Sequence, residues 1–240
     1  MSRAPSWKTR DPLGEALHFL RLSGTFYSRS ELTAPWGMTM PGFEGCLWFH
    51  AIVSGGCLLE GRGLPATSLA KGDFVLVPHG RGHVLKSQAR VAVPDVTELP
   101  QQQIGEHYSL LSHGGGGAPT SLVCGVVRFD HPSARDLTDL LPAVVRVQPS
   151  DAMDSTLRLM ASEARALQPG GETVLTRLAD VLVIQALRAW LANDDPGRTG
   201  WLGALRDPQL GLALAAVHRE PERGWSVRSL ARVAAMSRSA

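Results

Sequence analysis

The spacing of hydrophobic positions changes once along this chain, near Pro149. From Thr25 to about Val147 the apolar residues come in short runs broken by Gly and Pro. This pattern predicts strands over 25–32, 46–53, 57–60, 73–77, 83–87, 121–129 and 143–147. Ser54-Gly55-Gly56, Gly61-Arg62-Gly63, Lys71-Gly72-Asp73 and Pro78-His79-Gly80 supply the turns between them. Many short strands with such turns predict a sandwich or barrel. Ahead of them, Asp11-Pro12 followed by Leu13, Ala16, Leu17 and Leu20 predicts a short leading helix, with Asp as N-cap and Pro in the first turn.

Beyond Pro149 the period becomes helical. Ser150 or Asp151 caps a segment in which Met153, Leu157, Met160, Ala161 and Ala164 share a face, and Pro169-Gly170-Gly171 stops it. A second helix is predicted over 172–193. It carries Leu175, Leu178, Leu182 and Ala189 on one stripe, and Val174, Val181, Ile184 and Leu191 on another. A helix apolar on two stripes must be covered on two sides. The expectation is one stripe against the strands and the other against a second copy, a homodimer through 172–193. Asn193-Asp194-Asp195-Pro196-Gly197-Arg198-Thr199-Gly200 reads as a linker. The predicted organisation is a strand-rich domain with its leading helix over 1–148, a helical dimerisation segment and linker over 149–200, and a small helical domain over 201–240.

The 240 residues hold ample material for a core, and three cysteines cannot form a paired disulfide framework. A reducing cytoplasm is therefore the expected location. The longest apolar run, around Val181–Ile184, is far too short to span a bilayer, so no membrane role is expected. Net charge is +2, from 24 Lys and Arg against 22 Asp and Glu. That value hides an asymmetry. Residues 201–240 hold six arginines against three acids, +3, and the other 200 residues hold 18 bases against 19 acids, −1. The excess positive charge sits at the C-terminal end, a weak pointer to nucleic acid.

Within that basic stretch, Asp207-Pro208 opens a helix with Leu210, Leu214 and Val217 inward. Ser226 then caps a helix whose small face is Val227, Leu230, Ala231 and Ala234, and Ala235-Met236-Ser237 makes a tight turn. This is the first half of a helix-turn-helix. Asp207 through His218, then Trp225-Ser226-Val227, Leu230-Ala231 and Met236-Ser237-Arg238-Ser239, resemble the DNA-binding domain of the AraC/XylS transcription regulators. The resemblance implies that Ser237 and Arg238 lie at the DNA. It also implies that the family's recognition helix would begin where this chain stops. The expectation is thus the sensing part of a longer parent regulator, which does not by itself read DNA specifically.

Gly72-Asp73-Phe74-Val75-Leu76-Val77-Pro78-His79-Gly80-Arg81-Gly82-His83 resembles the second cupin motif, with glycines turning the chain and His83 aimed inward. The first motif is weaker: Phe49-His50 through Gly55 fits a barrel strand, yet the family's paired histidines and glutamate are missing and Trp48 stands at the acid's place. Gly114–Gly117, Thr120, Leu122–Gly125 and Phe129–Pro132, then Leu140-Leu141-Pro142, resemble the cupin-type sensor of one AraC subgroup. The implied fold is α+β: a cupin-like β-barrel, a helical dimerisation segment and a partial all-α helix-turn-helix.

His50, His83 and Cys124 fall on three predicted strands, and imidazole nitrogen with thiolate sulfur would suit zinc. The bland alternative is a hydrogen-bonded core histidine beside a small buried cysteine. His79 is a candidate fourth ligand or a turn residue. Cys46 and Cys57 read as packing, and Trp36, Trp48 and Phe74 as barrel core or the lining of an effector pocket. The four glycines lack the strand and helix context of a phosphate loop and read as a flexible loop over the barrel mouth. The reading is a non-enzymatic regulator that binds a small-molecule effector and reaches DNA through its full-length parent. The alternative is a metal-dependent cupin oxygenase or isomerase.

Overall fold

The computed structural model describes residues 22–129, 138–139, 141–148, 150–166, 168–192, 204, 207–220 and 222–237. The leading helix, the 193–200 linker, His131, Leu140 and Arg238 lie outside them. The chain divides into two compact units. One comprises Leu22–Asp130 with Arg135–Asn193, and the other Met1–Arg21, His131–Ala134 and Asp194–Ala240.

The first unit holds strands β1 (Leu22–Thr33), β2 (Gly37–Met40), β3 (Cys46–Ser54), β4 (Gly56–Gly61), β5 (Leu64–Ala70), β6 (Phe74–Val77), β7 (His83–Lys86), β8 (Gln101–Gln103), β9 (Tyr108–Gly114), β10 (Pro119–Phe129) and β11 (Val145–Val147). They form a seven-stranded sheet in the order β11-β6-β3-β10-β1-β9-β8 and a four-stranded sheet in the order β2-β7-β4-β5. All neighbours are antiparallel except β1 and β9. The expected cupin-like, sheet-rich fold is present, built as two sheets. Among the described residues no ladder joins the two sheets, and the chain passes between them repeatedly, in one place at Gly55, whose φ is +74°.

One core fills the space between the sheets. Leu32, Trp48, Ile52, Val75, Leu111, Leu122 and Val126 come from the larger sheet, and Met38, Met40, Cys57, Leu59, Leu69 and Leu85 from the smaller. Strand alternation puts the other face of β3 on the far side, where Phe49 meets Tyr27 and Phe74. The helices lie on that side: α2 packs against β1 and β11, and α1 against α2. Every predicted strand exists. The four unpredicted ones are β2, β5, β8 and β9, whose sequences GMTM, LPATSLA, QQQ and YSLLSHG lack a clean apolar alternation. They pair because neighbouring strands supply the ladder.

Helix α1 spans Asp151–Ala166, with the Ser150 hydroxyl accepting from the Met153 N–H at 3.3 Å. Met153 and Met160 are buried. Helix α2 spans Gly171–Ala192. Its first predicted stripe buries Leu175 and Leu182, while the second splits: Leu191 is buried, but Val174 and Val181 are each 41% exposed.

The loop 114–117 is not loose. The N–H groups of Gly115 and Gly117 donate to the carbonyls of Thr33 and Ala34, and that of Gly116 to the Thr33 hydroxyl. Gly114 has φ +134°, and a Cβ there would meet the Thr33 oxygen at 1.9 Å. The close approach, not flexibility, requires glycine.

In the second unit, α3 (Pro208–Arg219) is capped by Asp207, which accepts from Gln209 and Leu210. Helix α4 (Val227–Val233) opens with a reciprocal capping box between Ser226 and Ser229. Ala235, at φ +54°, makes the turn, and its carbonyl accepts from the Gln209 side chain. Of the expected inward residues, Ala234 is buried and Leu214, Val217, Leu230 and Ala231 are half-buried, whereas Leu210 and Val227 are 40% and 68% exposed. Ala215 and Ala216, outside that expected set, are buried as well.

Candidate functional site

His50, Cys124 and His83, far apart in sequence, meet in the core. Antiparallel register places Cys124 of β10 directly opposite His50 of β3. His83 arrives from β7 in the other sheet. Three local features aim it: Gly72 turns the chain at φ +89°, β6 ends at Val77, and His79 and Gly80 reverse it at φ +65° and +60°. A Cβ on Gly80 would sit 2.0 Å from the Phe43 oxygen, so only glycine fits. The three side chains are at most 2% exposed.

They form a chain of contacts. Cys124 Sγ lies 3.0 Å from His50 Nδ1, His50 Nε2 lies 2.7 Å from His83 Nε2, and His83 Nδ1 lies 3.1 Å from the Arg81 carbonyl oxygen. The carbonyl end fixes every proton. A carbonyl only accepts, so His83 Nδ1 carries a hydrogen. Burial holds His83 down at about pKa 4, so it is neutral near pH 7 and its Nε2 accepts. His50 must then donate from Nε2. Burial, and next the charge His83 would carry, hold His50 well below its ordinary value too, so its Nδ1 accepts. The Cys124 thiol donates, and burial pushes its pKa up, which keeps it a thiol. Four groups thus make three neutral hydrogen bonds pointing one way, from one sheet to the other. The Trp48 ring lies near-parallel to His50 at 5.9 Å and edge-on to His83 at 5.8 Å, and its indole N–H donates to the Pro41 carbonyl.

This geometry does not fit the expected zinc. Zinc needs donors converging at about 2.0–2.3 Å from one point. His50 instead stands between the other two and spends its two nitrogens in opposite directions. Among the described residues no group of three or more His, Cys, Asp and Glu side chains could hold a metal ion. The bland alternative, a hydrogen-bonded core histidine beside a buried cysteine, describes the contacts. His79 points elsewhere, with its Nε2 donating to the Leu141 carbonyl.

Sequence reasoning missed the rest of this polar row. On the same face of the larger sheet, Ser109 of β9 and Ser28 of β1 continue the line from Cys124 and His50. The Ser109 hydroxyl donates to Gln101, while the Ser28 hydroxyl and the Trp36 indole N–H are buried without partners among the described residues. Only strand register could have shown this row. Cys46 and Cys57 pack in the core, as do Trp36 and Trp48, and Phe74 is buried on the far side of the larger sheet. Ser237 is exposed just past the turn after α4.

The sequence model of a family described as cupin matches residues 11–192. The chain belongs to the cupin family. This cupin chain is 28% identical over 239 residues to the HTH-type transcriptional regulator AlkR of Acinetobacter baylyi, covering 95% of this chain and 76% of AlkR. It is 29% identical to a protein described as an AraC-like transcription regulator in Streptomyces antibioticus, again over 95% of this chain and 76% of the relative. A crystal structure of ToxT from Vibrio cholerae O395 superposes with a TM-score of 0.36 at 9% identity, covering 91% of this chain and 71% of ToxT. In none of the described helices of this cupin is there a stretch long and apolar enough to cross a membrane.

Proposed function

We propose that this cupin chain is the effector-sensing and dimerising part of an AraC-type transcription regulator, working in the cytoplasm. The observation that carries the reading is the extent of the likeness: relatives named as regulators match across 95% of the chain, through both the sheet-rich unit and the C-terminal helices. The capping box of α4, the left-handed turn at Ala235 and the packed alanines 215, 216 and 234 support a helix-turn-helix role for those helices. Ser237 would then stand on the DNA side, and the resemblance makes Arg238 a DNA-contacting residue as well. Val174 and Val181, one heptad apart and exposed on α2, support a homodimer through that helix. Effector binding would act by stabilising one arrangement of the sensing unit over another. The enzyme reading lacks a two-His, one-carboxylate set, since no carboxylate joins the interior chain among the described residues.

The test is transcript profiling of a strain lacking the gene. A small coherent set of transcripts should change, and a wild-type copy should restore it, whereas a copy carrying Val174→Asp and Val181→Asp should not. An unchanged transcriptome would sink the regulator reading. A full rescue by that double variant would sink the dimer.

A further inference from the structure

A cavity of about 760 Å³ lies on the helix side of the larger sheet, away from the Cys124–His50–His83 chain. Its lining includes Arg29 and Glu31 of β1, Pro100, Gln101 of β8, Leu110 of β9 and Arg165 in the last turn of α1. We propose that this cavity binds a small organic carboxylate, gripped by Arg165 and Arg29.

The charges carry the argument. Arg29 and Glu31 are two apart on one strand face, opposite to the face that sends Leu32 into the core. Arg29 reaches Glu31 Oε1 at 2.7 Å through both Nε and a terminal nitrogen, and the Ser121 hydroxyl donates to the same oxygen at 3.0 Å. Glu31 is therefore already matched. Arg165 has no hydrogen-bond or ion-pair partner among the described residues, so the cavity carries one uncompensated guanidinium. A cation in a last turn suits the helix dipole whatever it faces; here it also lines a cavity within the usual ligand range of about 300–1,000 Å³.

The chemistry of the lining selects the ligand. A guanidinium matches the two oxygens of a carboxylate with paired hydrogen bonds. Leu110 and Pro100 offer an apolar wall for a hydrocarbon or aromatic body. Gln101 is held in place, donating to the Val96 carbonyl and accepting from Ser109. A bound carboxylate would tie β1 to the end of α1, and so the sheet to the helix pair. The inference concerns binding alone and stands whether or not the chain regulates transcription.

The probes are benzoate and octanoate, with benzamide and octanamide as neutral counterparts, read by calorimetry and by the Nε–H resonances of the arginines. At least one acid should bind saturably and shift both Arg29 and Arg165. The matching amide should bind at least tenfold more weakly, and added salt should weaken the acid. Arg165→Gln should cost the acid at least tenfold while leaving the amide and the melting temperature unchanged. Absence of saturable binding by either acid, equal binding of acid and amide, or full affinity in Arg165→Gln would each overturn the proposal.

Discussion

Mild acid should weaken the sheet-rich unit before most of its carboxylates titrate. His50 and His83 are neutral in the fold, held below the value of about 6.5 that an imidazole has in an unfolded chain. On acidification the unfolded chain takes up protons that the folded chain refuses. Their contribution is therefore fully present above about pH 6.5 and is lost as pH falls towards the folded values. With His83 at about 4, linkage removes ~2 kcal/mol between pH 7 and pH 5. His50, held well below its ordinary value by burial and by the charge His83 would carry, acts in the same direction. The His83 contribution alone is a sizeable share of a typical stability of about 5–15 kcal/mol. Asp180 works in the opposite sense, because burial raises its carboxyl pKa and protonation relieves that cost. The assay is urea unfolding at pH 7, 6 and 5, followed by the fluorescence of the buried Trp36 and Trp48. His83→Gln, which can still accept from His50, should lose the ~2 kcal/mol that His83 contributes to the pH dependence. Equal stability at pH 7 and 5, or an unchanged slope in His83→Gln, would refute the assignment of neutral, desolvated imidazoles.

Three further outcomes are expected. Cys124→Ala leaves His50 Nδ1 without its donor and should cost about 1–3 kcal/mol in chemical denaturation, whereas Cys124→Ser restores a donor and should cost less. Gly114→Ala should lower stability by ~3 kcal/mol or more in thermal melts, because Cβ collides with the Thr33 oxygen. Gly116→Ala, at φ +85° with open space around it, should cost only about 1–2 kcal/mol. Asp73→Asn breaks the paired contact with Arg146 that ties β11 to the turn before β6. It should cost about 1–3 kcal/mol and speed amide exchange over Val145–Val147, while Arg146→Ala should cost less because that side chain is 45% exposed.

Local pattern determined much of this protein by itself. The apolar run CLWFHAIVS predicted β3, the Asp207-Pro208 and Ser226 caps predicted α3 and α4, and the glycines of 72–83 predicted the turns that aim His83 inward. These features are local, settled by side chains a few positions apart, so a sequence displays them directly. Tertiary structure decided the rest. Weakly patterned β2, β5, β8 and β9 became strands because neighbours offered ladders, and the pairing into two facing sheets settled what the strand pattern left open between sandwich and barrel. Sequence also picked out His50, His83 and Cys124 together, but it could not tell convergence from succession. Register across β10 and β3, together with the facing position of β7, put His50 between its partners. That placement makes a line of hydrogen bonds where the same three residue types could have made a metal cage. The cavity of Arg29, Glu31 and Arg165 was invisible for the same reason: it exists only where a helix end comes to lie over a strand.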